Sequence, residues 1–266
     1  MFLGSNEKQF GLPFYNRNLI GHWDAMDQSS IVRNESGYIE IWADKMGNLD
    51  LKSAGQSHPK YASEAIHGNS AVDFTGSDIG LISDVKYIRS SNNPFTCIMV
   101  VKPKSDDLFQ HIFTATSANW TGSGIGTDYF PIVAMTNGIF VYDNDLHAFD
   151  KLLLEKDLLH IYTIRYDGSN VIASKGVPNP KNQKPINLDS ERSGYIKMGK
   201  NYTGLVGEIL LFNAALEFPV ITNLIHSLSK KWTAGIQWEN PGKEIIFLSI
   251  MKKEKKKVFE ALHVLY

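Results

Sequence analysis

Carboxylates able to share a cleft are the first residues to weigh, because cleaving a glycosidic bond commonly needs two of them facing each other, roughly 5 to 9.5 Å apart. Glu155 and Asp157 lie in "LEKDLL", and Asp189 and Glu191 lie in "NLDSERSG". Both stretches read as turns, where acidic side chains are solvated, so neither pair is assigned a catalytic role. The histidines, at 22, 58, 67, 111, 147, 160, 226 and 263, include no pair four apart on a helix and no His-Glu-x-x-His. No zinc site is expected from them. "TGSGIG", residues 121–126, reads as a loop rather than a phosphate cradle, because no helix follows it. The lone cysteine, Cys97, excludes an intrachain disulfide framework and any multi-cysteine metal site. Within "PFTCIMVVKP" it is read as a small buried hydrophobe.

Two further groupings have the right residue types for binding. "YDNDLHAFD" offers Asp143, Asn144 and Asp145 on a loop, and "FTGSD" offers Asp78. Loop carboxylates of this kind suit calcium, so Asp143, Asp145 and Asp78 are the candidate metal ligands. Their plainer role is local Asx-turn hydrogen bonding, and the expectation for cofactors is none, with calcium as the one ion to test. Sugars favour aromatic faces beside carboxylates. The loop aromatics Tyr129 and Trp120, with Asp143 and Asn144, are therefore the candidate carbohydrate contacts. Asp24, Asp27 and Asp44 also stand beside tryptophans, Trp23 and Trp42, but those rings are read as core anchors.

The elements that would position these residues are strands. Turn residues punctuate the chain at short intervals: Asn137-Gly138 between "PIVAM" and "IFVY" is a hairpin signal, and Asp167-Gly168 repeats it. In "HIYTIRYDG" His160, Tyr162, Ile164 and Tyr166 share one face. "FTCIMVVK" is apolar on both faces, as a central strand covered on both sides requires. Other expected strands are "QHIFTAT", "AVDFTG", "IGLIS", "GYIKMG" and "GEILLF". Short strands without alternating helices predict an all-β, antiparallel jelly-roll sandwich. One helix closes it: Leu216, Val220, Ile221, Leu224, Ile225, Leu228 and Trp232 form a single apolar stripe. Pro219 is placed at its first position, Phe218 at its cap, and Lys230 and Lys231 at its negative end.

The expected organisation is an arm over 1–18, a sandwich domain over 19–232 and an extension over 233–266. Phe10 and Phe14 in the arm, and Trp238, Phe247, Phe259 and Leu262 in the extension, are candidate partner-docking residues. With 27 basic and 28 acidic residues the chain has no general electrostatic grip on nucleic acid. No apolar stretch reaches the roughly 18 residues of a membrane span, and the first residues show no secretory signal pattern.

Four stretches together resemble the laminin-G-like, concanavalin A-like jelly-roll domains of bacterial and bacteriophage surface proteins. They are "HWDAMDQSSI…IEIWADKMGNLDL" (22–51), "AVDFTGSDIGLIS" (71–83), "FTCIMVVKP" (95–103) and "YTGLVGEILLFNAAL…SLSKKW" (202–232). The chain departs from the family's pattern at His22, where Leu or Trp is usual, and at "EFPVI", where a polar cap is usual. Hydrolases of this fold carry a Glu-x-Asp-x-(x)-Glu run along one strand, and no such run occurs here. The resemblance thus implies a chain that is not an enzyme: a virion structural or surface-binding protein of a bacteriophage, such as a capsid decoration, head fibre or tail component. It would be assembled in the host cytoplasm, with other virion proteins or cell-surface glycans as partners, and a homo-oligomer is among the assemblies expected. The alternative is a carbohydrate-binding lectin module recognising host surface glycans, with calcium assisting, and a glycan-cleaving enzyme comes third.

Overall fold

The computed structural model describes residues 18–55, 57–77, 80–89, 93–105, 110–116, 133–135, 138–142, 146–149, 155–186 and 192–233. These residues form an antiparallel jelly-roll β-sandwich with one α-helix, as the strand and turn pattern predicts. One sheet runs in the order β15 (Gln183–Pro185), β14 (Asn170–Lys175), β13 (His160–Tyr166), β8 (Phe95–Pro103), β17 (Gly204–Phe212), β6 (Asn69–Asp73) and β5 (Lys60–Ile66), with β1 (Leu19–Asp24) also paired to β17. The facing sheet runs β2 (Ile31–Arg33), β3 (Ile39–Trp42), β4 (Leu51–Ser53), β7 (Leu81–Arg89), β16 (Arg192–Lys200) and β9 (His111–Thr116). A separate three-stranded meander joins β10 (Val133–Met135), β11 (Gly138–Tyr142) and β12 (Leu146–Phe149), with Met135 opposite Gly138, so Gly138 is a paired strand residue rather than part of the expected Asn137-Gly138 turn.

Alternation explains why β8 and β17 sit centrally. Phe95, Cys97, Met99 and Val101 enter the inter-sheet core, while Ile98 and Val100 face outward into a second apolar cluster. On β17, Val206, Ile209 and Leu211 enter the core, and Leu205, Leu210 and Phe212 face outward. The switch of phase comes at Gly207 and Glu208, where the register with β8 shifts. A bulge of this kind turns an extra side chain toward one face, here Glu208 toward the helix. The burial of Cys97 pushes its thiol well above the usual range, which leaves it inert.

The second cluster is closed by helix α1 (Phe218–Thr233), which buries Ile221, Leu224, Ile225, Leu228 and Trp232 on the outer face of the eight-stranded sheet. Fully burying such side chains is worth about 1.5–3 kcal/mol each. The helix starts one residue earlier than its sequence suggests. Ile221 N–H donates to the Glu217 carbonyl (3.1 Å), so Glu217 stands at the cap and Pro219 at the second position. Pro219 is still tolerated there, because none of the first four N–H groups has a partner within the helix. Phe218 is held from outside: the Arg165 guanidinium lies 5.2 Å from its ring centroid, and Arg165 Nε donates to Leu216 O at 2.9 Å.

The other end of α1 is tied by the β5–β6 hairpin. Its two-residue turn, His67-Gly68, has φ of 48° and 82°, the left-handed pair that tight hairpins need. This turn carries His67 Nδ1 to 3.1 Å from Trp232 O and lets Asn69 Nδ2 donate to Lys231 O at 3.1 Å. Last-turn carbonyls that lack helical partners are thereby satisfied by side chains from the sheet. No helix among the described residues is long and apolar enough to cross a membrane.

Candidate functional site

The densest group of charges is buried where α1 meets β1 and β17. Glu208 is 1% exposed and accepts three bonds: from His22 Nε2 at 2.8 Å, Lys231 Nζ at 2.6 Å and Trp232 Nε1 at 2.8 Å. Lys231 Nζ also lies 2.9 Å from Asp24 Oδ2, and Lys45 Nζ reaches Asp27 at 3.0 Å and Asp24 at 3.5 Å. Burial alone would push the Glu208 carboxyl up. The His22 hydrogen bond and the Lys231 charge outweigh it and hold the carboxyl down at about 2. Burial likewise opposes the charge on Lys45, but Asp27 and Asp24 raise its pKa. Asp27 is held low by hydrogen bonds, first from Ser29 and then from Lys45.

His22, Asp24 and Glu208 bring three potential metal-ligand atoms within 4.8 Å of one another. The position of a cation is already taken, since Lys231 Nζ sits within 2.9 Å of both carboxylates. A divalent ion there would meet an ammonium at contact distance, where like charges repel strongly in a low dielectric. The group is therefore a clasp that fastens the helix to the sheet, not a metal centre. Neighbouring "WADKMGNL" is a second structural device. Asp44, 4% exposed, accepts from the backbone N–H of His22 (2.7 Å), Met46 (3.0 Å), Asn48 (3.1 Å) and Leu49 (3.2 Å). Trp23 and Trp42 are fully buried beside these carboxylates, as core anchors.

A second group of side chains lies on the outer face of the six-stranded sheet. The eight-stranded sheet has its outer face covered by α1, whereas no helix among the described residues covers the six-stranded sheet. Directly paired residues share a face, and the pairings Val32–Ile41–Lys52–Ile82–Lys197–Thr114 trace one row across that outer surface. Val32 and Lys52 are exposed and Ile41 and Ile82 half-buried, while Lys197 and Thr114 at the β9 end are buried. Thr114 Oγ1 has no hydrogen-bond partner among the described residues. In the adjacent row Lys86 pairs with Tyr195, its Nζ 5.9 Å from the ring centroid, and Lys52 binds Asp84 at 3.1 Å. A half-exposed aromatic ring, apolar side chains and charged hydrogen-bonding groups thus share one sheet face. That combination can receive the C–H face and the hydroxyls of a sugar.

The site residues expected from sequence lie outside the described residues: Tyr129, Trp120, Asp143, Asn144, Asp145 and Asp78, and the docking residues Phe10, Phe14, Trp238, Phe247, Phe259 and Leu262. Glu155 and Asp157 are exposed, as expected of turn residues, and Glu155 binds Lys175 rather than a second carboxylate. Sequence reading passed over Tyr195, Lys86 and the clasp. The one available signal was Glu208 itself, a charge in the otherwise apolar "GEILLF", which demands a buried partner.

No protein-family model and no curated protein matches this chain. Solved structures share its fold. Domain 4 of AbnA, a GH43 extracellular arabinanase from Geobacillus stearothermophilus, in complex with arabinotriose, is 15% identical at a TM-score of 0.51, covering 78% of this chain and 98% of that one. The binding domain of Paraclostridial Mosquitocidal Protein 1 is 12% identical at a TM-score of 0.52, covering 80% of this chain and 52% of that one. A mutant of Trypanosoma rangeli sialidase displaying trans-sialidase activity is 12% identical at a TM-score of 0.51, covering 82% of this chain but 34% of that one. The chain thus spans about a third of the length of the sialidases it matches.

These matches overturn the expectation that the chain is not an enzyme. The fold occurs within chains that are glycoside hydrolases, and glycoside cleavage does not always run through a carboxylate pair. A missing Glu-x-Asp-x-(x)-Glu run therefore does not place the chain outside that chemistry. Nothing in the matches supports a virion role.

Proposed function

We propose that this chain is a glycan-binding module, the reading that sequence analysis placed second. The observation that carries it is the asymmetry of the sandwich. Among the described residues α1 covers one sheet, and the other turns Tyr195, Lys86, Lys52, Asp84, Ile41 and Ile82 outward, half-buried or exposed. An aromatic ring flanked by hydrogen-bonding groups is what a pyranose or furanose needs, because the ring covers C–H surface while the polar groups take the hydroxyls. The likeness to an arabinanase domain held with arabinotriose, covering 98% of that domain, supports the same reading. Calcium at Asp78, Asp143 and Asp145 stays within the proposal as an assisting ion.

The test is titration of the full chain with arabinotriose and a panel of other oligosaccharides. Tyr195→Ala is expected to weaken binding by about two- to tenfold, since aromatic contacts are worth about 0.5–1.5 kcal/mol beyond the area they bury. A panel with no binding, or an unchanged affinity in the variant, overturns the assignment of this face.

A further inference from the structure

The clasp holds a nucleophile, an electrophile and a base in one buried triangle. Asp24 on β1 pairs directly opposite Glu208 on β17, so two carboxylates share a spot where like charges repel. Lys231, in the last turn of α1, reaches both, its Nζ 2.9 Å from Asp24 Oδ2 and 2.6 Å from Glu208 Oε2. Both carboxylates are buried, and the Lys231 side chain is only 19% exposed. The pairs Lys52–Asp84, Lys104–Asp73 and Lys175–Glu155 are by contrast in contact with solvent. The two carboxylates also differ from each other. Glu208 takes further donors from His22 Nε2 and Trp232 Nε1, which fix it as an anion. Asp24 has the Met26 N–H on Oδ1 at 3.1 Å and Lys45 Nζ 3.5 Å from Oδ2. A backbone donor on one oxygen and a cation near the other polarise the Asp24 carboxyl, as an oxyanion hole polarises a carbonyl. The fully buried Trp232 ring lies 5.4 Å from Lys231 Nζ and keeps water from that side.

We propose that Lys231 and Asp24 condense to an intramolecular isopeptide bond, which makes the clasp covalent and ties the first strand to the closing helix. The ion pair is the state before that bond forms. In water an ammonium and a carboxylate do not condense, because both ions are well hydrated. Burial removes that hydration and favours the neutral amine and acid, reached when Lys231 passes one proton to Asp24 Oδ2. Holding the two groups in contact replaces a bimolecular encounter, an advantage equivalent to effective concentrations of about 10⁵ M or more. The neutral Nζ then attacks Asp24 Cγ, forming the C–N bond, while the Met26 N–H steadies the charge on Oδ1. Glu208, held as an anion, takes a second proton from the attacking nitrogen and delivers it to Oδ2. The Cγ–Oδ2 bond breaks and Oδ2 leaves with both protons as water. One ammonium and one carboxylate become one amide and one water, and Glu208 ends as it began. The product also relieves the opposed charges, since Glu208 keeps its His22 and Trp232 donors and Asp24 is neutral.

The experiment is the intact mass of the full chain, measured in denaturant after the folded protein has stood at neutral pH for several days. The expected result is a species lighter by one water, whose digest yields a branched peptide joining Asp24 to Lys231. Lys231→Arg and Asp24→Ala should keep full mass, and so should wild type held unfolded throughout, because the geometry belongs to the fold. Glu208→Gln should slow the loss about a hundredfold or more, as removal of a general base does. Lys230→Ala, exposed and outside the triangle, should react as wild type does. Circular dichroism verifies that each variant folds, and the wild-type mass decides the matter even where one does not. Full mass in the folded wild type overturns the proposal. So does a water loss that persists in Lys231→Arg, or a branch that joins Lys231 to Glu208. None of these outcomes involves sugar binding, so the glycan reading stands or falls separately.

Discussion

Replacing Glu208 by alanine tests the clasp most directly. The variant leaves Lys231 with Asp24 at 2.9 Å as its remaining partner and leaves His22 Nε2 and Trp232 Nε1 without their carboxylate acceptor. Breaking a buried ion pair by removing one member costs about 3–5 kcal/mol. The direction of its titration agrees: burial disfavours the charged carboxyl, but the His22 hydrogen bond and the Lys231 charge hold it below its ordinary value, so folding favours the ionised form. Taking the urea dependence near 3 kcal/mol/M for a chain of this size, the midpoint should fall by about 1 M at pH 7 with an unchanged slope. The pH dependence supplies the sharper check. Because folding depresses this carboxyl, its contribution is fully present above pH 4.5 and drains away as pH falls toward 2. The gap between wild type and Glu208→Ala should therefore close across that window. A loss below about 1 kcal/mol at neutral pH, or a gap that stays constant from pH 5 to 2, would refute the account of Glu208 as an ionised partner to the helix.

Other predictions follow from neighbouring geometry. Asp44→Ala leaves four backbone N–H groups without their acceptor and should cost at least about 3 kcal/mol in chemical unfolding, since each hydrogen bond to a charged group is worth about 1.5–3. Asp44→Asn, which keeps one acceptor oxygen, should recover part of that loss. Gly207→Ala puts a methyl 2.7 Å from the Trp232 ring and should destabilise by about 1–3 kcal/mol through overpacking, with a lower thermal midpoint. Lys230→Ala, one residue from the clasp but exposed, should stay within about 0.5 kcal/mol of wild type.

The strands of the sandwich were readable because burial imposes a pattern on the chain. β8 is apolar on both faces because a core lies on one side and a helix on the other, and β13 alternates from His160 to Tyr166 as its half-covered position requires. The helix stripe from Leu216 to Trp232 was equally plain. Its first residue was not, since the start depends on Glu217 O finding Ile221 N–H rather than on any capping side chain.

The proposed binding face was harder to see. Nothing local marks Tyr195 as belonging with Lys86, because the pair meets through strand register between segments far apart in the chain. A Lys-Lys-Trp ending announces a helix terminus with a favourable charge. It does not announce that Lys231 turns inward to Glu208 and Asp24 while Lys230 stays outside. The exclusion of enzymatic chemistry failed for a related reason: one linear carboxylate pattern stands for only one way of assembling a site. Hydrophobic periodicity is a property of neighbours in sequence, so the chain alone determined strands, helix and the layers they build. Charge pairing and the choice of covered face are properties of neighbours in space. Only the packed sandwich decided which cations met carboxylates, which rested on rings, and which sheet received the helix.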